Sequence, residues 1–235
     1  MKHLTTILLA LIILNSCNKS NKTFATSDGK IKVFKEDTSQ IEGADLPIHL
    51  DSTEYLIHAI GKIDTYNSRS FLYSESNKMR NMSSYNISRN NNFTITGELT
   101  NIKFQNFGSE ELVTLTEDNL KITSVTYLNK IADEENKLLI YTIYDADTNK
   151  DSQLDYEDIK TLYISNIDGS NFKKLTQNLD QLIDWKLVSP LNRIYFRSIT
   201  DSNKNGEFDT TDKINYQYVN LKNQQFKVES YHPVQ

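Results

Sequence analysis

From residue 30 onward the chain alternates apolar and polar residues in short runs, and no stretch keeps a helical period of 3.6 for long. Alternation at period two puts every second side chain on one face of a strand, so it predicts strands half-buried against a core. Such runs fall at 31–36 (IKVFKE), 54–63 (EYLIHAIGKI), 69–76 (RSFLYSES) and 93–105 (FTITGELTNIKFQ). Others fall at 111–116, 121–128, 137–144, 160–167, 181–188, 192–199 and 214–221. Their β-branched and aromatic residues suit a pleated surface, and Asn, Asp, Ser and Gly mark the turns between them. About a dozen strands fit one all-β domain of this length. The polar stretch 76–92 predicts an exposed hairpin or connector.

The first residues break the pattern. Lys2 precedes an apolar run at 4–14 that is too short to span a bilayer and reads as a secretory signal. The run ends Leu14-Asn15-Ser16-Cys17. That Leu-x-Ser-Cys ending resembles a bacterial lipobox, which implies cleavage before Cys17 and lipid on its thiol and new amino group. The organisation expected is a signal at 1–16, a lipidated, polar tether at 17–29 and an all-β repeat domain at 30–235. Cys17 is the only cysteine, so no intramolecular disulfide staples the fold. Loss of Lys2 with the signal takes the formal charge from −5 to −6. A mildly acidic body argues against nucleic acid and against electrostatic docking on anionic lipid, leaving the lipid as the membrane attachment. The resemblance implies a bacterial cell envelope. No acidic cluster follows Cys17, a feature that marks surface export in Bacteroidetes-like lipoproteins. An outer-membrane protein facing the periplasm is therefore expected, with surface display as the alternative.

Two acidic stretches stand between predicted strands: DTNKDSQLDYED at 147–158 and DSNKNGEFDTTD at 201–212. Both carry oxygen-bearing side chains at positions 1, 3, 5, 9 and 12, the spacing with which a twelve-residue loop wraps a hard cation. In the first, Asp147, Asn149 and Asp151 are the inward side chains, Gln153 gives its carbonyl, Asp155 acts through water and Asp158 closes the shell, with Leu154 as apolar anchor. In the second the same roles fall to Asp201, Asn203, Asn205, Glu207, Asp209 and Asp212, with Phe208 as anchor. The loops begin 54 residues apart, and at that offset Ile140-Tyr141 falls on Ile194-Tyr195, Leu162 and Ile164 on Tyr216 and Tyr218, and Phe172-Lys173 on Phe226-Lys227. The repeat is strand, loop, strand, turn, strand, a supersecondary unit of the kind that stacks.

Both loops resemble the EF-hand and dockerin-type calcium loop, which implies Ca²⁺ as the ion. Ser152 stands where that loop wants Gly for a positive φ, whereas Gly206 keeps it, and both loops end in Asp instead of a bidentate Glu. At the positions where side chains would be ligands the first loop has four carboxylates (Asp147, Asp151, Asp155, Asp158) and the second three (Asp201, Asp209, Asp212), so tighter binding is expected in the first. The flanking strands replace the helices of a true EF-hand. A further resemblance covers residues 101–228. IDGSNFKKLT at 167–176 followed by DWKLVSPLNRIYF at 184–196 is similar to a TolB-type propeller blade junction through Asp168, Gly169, Leu175, Thr176, Ser189, Pro190, Ile194 and Phe196. Trp185 is displaced from its place beside Ser189-Pro190, and Leu191-Asn192 replaces the expected Asp-Gly. The resemblance implies antiparallel blade-like repeats forming a small or incomplete β-propeller, or a curved multi-sheet domain with blade patterning.

No phosphate-cradling glycine loop, nucleophile elbow or zinc spacing is present, and the four histidines are scattered. The tyrosines at 141, 144, 163, 195, 216 and 218 predict sheet packing rather than a sugar platform. The expectation is a non-catalytic, lipid-anchored, calcium-binding recognition module for a protein or an envelope polymer. The alternatives are a calcium-assisted enzyme acting on polysaccharide, which a cleft with carboxylates outside the loops would favour, and a purely structural envelope component.

Overall fold

A computed structural model describes residues 40–64, 86–131 and 137–234. The signal, the tether with Cys17 and the runs predicted at 31–36 and 69–76 lie outside the described residues. Within them the chain is all-β, with a single short 3₁₀ turn at Ser189–Leu191. The first group of strands is β1 (Gln40–Ala44), β2 (Ile48–His49), β3 (Tyr55–Asp64), β4 (Ser88–Asn91), β5 (Thr94–Asn106) and β6 (Val113–Thr114). A meander follows: β7 (Lys121–Tyr127), β8 (Leu138–Tyr144), β9 (Lys160–Asn166) and β10 (Lys173–Lys174). A second meander comprises β11 (Asp180–Val188), β12 (Arg193–Thr200), β13 (Lys213–Asn220) and β14 (Val228–Ser230). Neighbouring strands pair antiparallel throughout. These are the antiparallel, blade-like repeats that the sequence predicts, four strands to each of the last two units.

β5 pairs with both β3 and β7, so the first ten strands form one sheet. Register shifts lie at Ile60/Gly61 against β5 and at Thr96/Leu99 against β7. Such irregularities bend strands. The bend lets Ile57, Ala59, Ile102 and Phe104 share one core with Leu139, Tyr141 and Ile143. The other face of the middle meander supplies Leu138, Ile140, Leu162 and Ile164 to a second core, where they meet Ile194, Phe196 and Val219 of the last sheet. The middle meander is therefore covered on both faces, which is why β8 reads as a near-continuous apolar run, LLIYTIY, rather than a clean alternation.

β11 and β12 are joined by a tight turn. Ser189-Pro190-Leu191 makes the 3₁₀ turn, and Asn192 ends it in the left-handed region (φ 49°, ψ 48°), accepted there because Asn tolerates that conformation better than most residues. Trp185 sits in β11 opposite Phe196 and packs on the second core.

The offset of 54 holds for the elements but not for every face. Ile140 pairs with Ile164, whereas its counterpart Ile194 pairs with Val219, one residue past Tyr218. A slip of one residue turns side chains to the opposite face. Tyr141 accordingly packs in the first core, while Tyr195 looks away from the second. Of the six repeat tyrosines, Tyr141 and Tyr144 are buried and Tyr163 packs against the first core, whereas Tyr195, Tyr216 and Tyr218 are half-buried on the outer face of the last sheet.

Gly169, in the turn between β9 and β10, has φ +82° and sits against the Phe104 ring of the first group, so a Cβ there would lie 2.7 Å from Cδ2. Gly169→Ala should destabilise the fold by about 3 kcal/mol, from left-handed strain and overpacking together; urea denaturation measures it. On the last sheet the Arg197 guanidinium donates to both carboxylate oxygens of Asp184, Nε to Oδ1 at 2.8 Å. This holds the Asp184 carboxyl below its ordinary value of 3.8. The pair's contribution is then complete above the unfolded-state value and is lost as pH falls through the lower folded one. A carboxyl-detected NMR titration should place Asp184 below an unperturbed aspartate, and Arg197→Gln should restore the ordinary value.

Candidate metal centre

Each acidic stretch is the connection between the two central strands of a meander, β8 to β9 and β12 to β13. The two are built on the same hydrogen-bond plan. In the first, Asp147 Oδ1 accepts the amide of Asp151 (3.2 Å) and its Oδ2 that of Ser152 (3.0 Å). Asn149 Oδ1 accepts the Asp151 amide (3.0 Å), Asp151 Oδ1 that of Gln153 (2.8 Å) and Asp155 Oδ1 that of Glu157 (2.8 Å). In the second, Asp201 accepts from Asn205 (3.2 Å) and Gly206 (2.8 Å), Asn203 from Asn205 (2.8 Å), Asn205 from Glu207 (2.7 Å) and Asp209 from Thr211 (2.7 Å). Short polar side chains that bond the backbone two residues on are what Asn and Asp bring to a tight loop.

Position 12 closes both loops. Asp158 accepts the Thr148 amide at Oδ1 (2.6 Å) and the Asp155 amide at Oδ2 (3.0 Å). Asp212 accepts the Ser202 amide (2.9 Å) and the Asp209 amide (2.9 Å). The hydroxyls after position 1 complete the match: Thr148 Oγ1 accepts the Ile159 amide and Ser202 Oγ accepts the Lys213 amide. The backbone follows the same track, with positive φ at positions 4 and 6 of both loops: Lys150 (63°), Ser152 (67°), Lys204 (58°) and Gly206 (82°). Ser152 therefore occupies the left-handed conformation that the spacing required and that its own side chain disfavours.

The surroundings differ. Asp147 and Asp158 are 7% and 4% exposed, whereas Asp201 and Asp212 are only half-buried. Burial pushes the Asp158 carboxyl above its ordinary value, against the pull of its hydrogen bonds from Asp155, Thr148 and Asn149. The Thr211 hydroxyl and amide hold Asp209 below it. Tyr156, at position 10 of the first loop, donates its hydroxyl to Glu98 of β5 (3.0 Å). Lys121 of β7 pairs with the same carboxylate and lies 4.4 Å over the Tyr156 ring. Partial burial and the Glu98 carboxylate push the Tyr156 hydroxyl up to about 12. Thr210 stands at the matching position of the second loop, with no such tie. This clamp is a functional-site feature that loop spacing does not reveal, because Glu98 lies 58 residues away.

Among the described residues no three His, Cys, Asp or Glu side chains gather as a ready metal cluster. The set that the loop pattern names depends on Asn149, Asn203, Asn205 and the carbonyls of Gln153 and Glu207 for its remaining oxygens. Its chemistry fits a hard cation: every donor is oxygen. No Lys or Arg among the described residues ion-pairs with any of the loop aspartates. A buried carboxylate such as Asp158, compensated by amides and the Thr148 hydroxyl without a cationic side chain, is an environment a bound cation neutralises.

Outside the loops a cleft of about 450 Å³ opens beside Tyr55, Phe104 and the 168–170 turn, with Glu111 and Asp168 on its wall. Asp168 Oδ1 accepts both the amide (2.9 Å) and the hydroxyl (2.6 Å) of Ser170, so one of its oxygens already holds the turn.

No protein-family model and no curated protein matches the chain. Among solved structures it is similar to a TolB-designated protein of Agrobacterium tumefaciens at 12% identity and a TM-score of 0.23, over 81% of this chain and 80% of that one.

Substitutions at position 6 separate the two loops. Ser152→Gly relieves left-handed strain of about 1–2 kcal/mol at a glycine entropy cost of about 0.5–1 kcal/mol. A net gain of roughly 0.5 kcal/mol is expected, and Gly206→Ser should lose a similar amount by the same rule. Urea midpoints measured in chelator report both.

Proposed function

We infer that this is a lipid-anchored protein of the bacterial cell envelope that binds calcium through its two acidic loops and acts by recognition rather than catalysis. The observation that carries the calcium reading is the shared loop plan: two connections in one chain, with matching oxygen positions, matching amide contacts and matching positive-φ residues. Chance Asx turns need not coincide at all of these points. The ion would be held by Asp147, Asn149, Asp151, Gln153, Asp155 and Asp158, and by Asp201, Asn203, Asn205, Glu207, Asp209 and Asp212. It supplies positive charge that fixes a loop otherwise costly to order. The greater burial and charge of the first loop make it the tighter site. The anchor rests on the Leu-x-Ser-Cys sequence, with the periplasmic face of the outer membrane as the expected location.

A second reading, hydrolysis of a polysaccharide, draws on the cleft beside Glu111 and Asp168. The tie of Asp168 to Ser170 favours a turn-holding role for it, and the recognition reading is preferred.

Calorimetric titration of the full chain with calcium chloride should show two sites with dissociation constants on the order of 10⁻⁴–10⁻³ M. Asp147→Asn combined with Asp158→Asn should abolish the tighter one, and Asp201→Asn combined with Asp212→Asn the weaker. Calcium at about a hundredfold over the dissociation constant should stabilise the fold by about 2.7 kcal/mol per site. Uptake unchanged in both double variants refutes the calcium reading. An unmodified Cys17 by mass spectrometry of the membrane fraction refutes the anchor.

A further inference from the structure

The outer face of the last sheet carries a surface that the calcium reading does not use. Tyr195 of β12 and Tyr218 of β13 stand opposite each other with ring centroids 5.5 Å apart. Tyr231, just past β14, lies 5.3 Å from Tyr195 and 5.9 Å from Tyr216, edge-on to both. Arg193 lays its guanidinium 4.4 Å over the Tyr218 ring and is 3.4 Å from the Tyr195 hydroxyl. All four tyrosines are half-buried. On the middle meander the positions matching Tyr216 and Tyr218 are Leu162 and Ile164, both fully buried beneath the last sheet. Where the stack continues, these positions are aliphatic. Where it stops, they become rings with a hydroxyl at the tip, a composition suited to a partner that is apolar on one side and wet on the other.

Charge selects the partner. The protein as a whole is acidic, at −5. On this face, however, Lys186, opposite Tyr195, and Arg193 have no ion-pair partner among the described residues, whereas Arg197 is matched by Asp184. Glu229, the other acid beside the patch, accepts the Tyr218 hydroxyl at 2.6 Å. The charge of Glu229 also reaches Arg193, so the face sets Lys186, Arg193 and Arg197 against Asp184 and Glu229 and keeps one cation in excess among its aromatic rings. A chain of sugar rings with carboxylates complements it: C–H faces pack on tyrosine, hydroxyl edges meet phenol groups, and uronate carboxylates meet Arg193 and Lys186.

The geometry points to this face as a binding site for an anionic, uronate-containing glycan. It deepens the recognition reading, on which it rests, and is independent of the calcium loops. The test is isothermal titration of the full chain in detergent micelles with oligosaccharides of hyaluronate, alginate and galacturonate, in chelator so that calcium plays no part. At least one of the three should bind. Tyr218→Ala and Arg193→Gln should each weaken it at least tenfold, with the thermal midpoint of the Arg193→Gln protein unchanged. A neutral dextran should bind no more tightly to the parent than to the variants. Absence of uronate binding, binding that survives both substitutions, or tighter capture of poly-glutamate than of any uronate chain overturns the proposal, the last result identifying the face as a dock for acidic peptide. Because chelator is present throughout, failure here leaves the calcium titration untouched, and failure there leaves this site untouched.

Discussion

The middle meander has no helix to cover it among the described residues, so one apolar face must be closed by the bent part of its own sheet and the other by the last sheet. β8 shows the constraint in consecutive residues: Leu139, Tyr141 and Ile143 enter one core, Leu138 and Ile140 the other. From this follow the bent first sheet on one side, the last sheet on the other, and the length of β5, which must reach both β3 and β7. An antiparallel sheet can leave one face to water, and among the described residues the last sheet does so. The stack therefore has an interior, where aliphatic side chains meet, and an end, where Tyr195, Tyr216 and Tyr218 take their place.

Long strands were legible in the sequence because they are half or fully buried and the burial writes a period. β3, β5, β7, β8, β9, β11, β12 and β13 all lie where alternation or an apolar run predicts them. β1 and β2 were not legible, while β10 and β14 were legible only as the last strand of the repeat and β4 only as part of a hairpin or connector. Ser88–Asn91 and Lys173–Lys174 have little to bury and join the sheet by backbone pairing alone, so their side chains carry no signal. The hairpin expected within 76–92 is met at its end, where β4 turns through Asn92, at φ 47°, into β5. The repeat misled in one respect. Sequence identity at an offset of 54 says nothing about pairing register, and a one-residue slip between β12 and β13 sent Tyr195 outward while Tyr141 stayed in.

The loops were the most legible part of the candidate site, since their geometry is written locally. Asn and Asp at positions 1, 3, 5 and 9 hold amides two to five residues along, and that depends only on the chain nearby. Even the strain at Ser152 could be foreseen, because the turn demands a positive φ whichever residue stands there. What is written elsewhere in the chain could not be foreseen. The clamp on Tyr156 needs Glu98 of β5 and Lys121 of β7, and it forms only because the first sheet bends over the middle meander.

The same bend separates two loops that are otherwise copies. The first lies against β5 and β7 of its own bent sheet, so its Tyr156 finds a carboxylate and a cation and its end carboxylates are nearly closed off from water. The second hangs from the last sheet, where no further layer among the described residues offers a partner, and Thr210 at the same position makes no clamp. A loop held by its neighbours has less conformational freedom left to lose when a ligand arrives, and a freely hanging one has more. Burial also raises the cost of leaving Asp158 charged and uncompensated, which increases what a cation at that loop would relieve. Both effects act in the same direction. The difference between the loops is thus set less by their own twelve residues than by their place in the stack, the inner loop gaining order from the strands of the bent sheet beside it and the outer one keeping the freedom of an end.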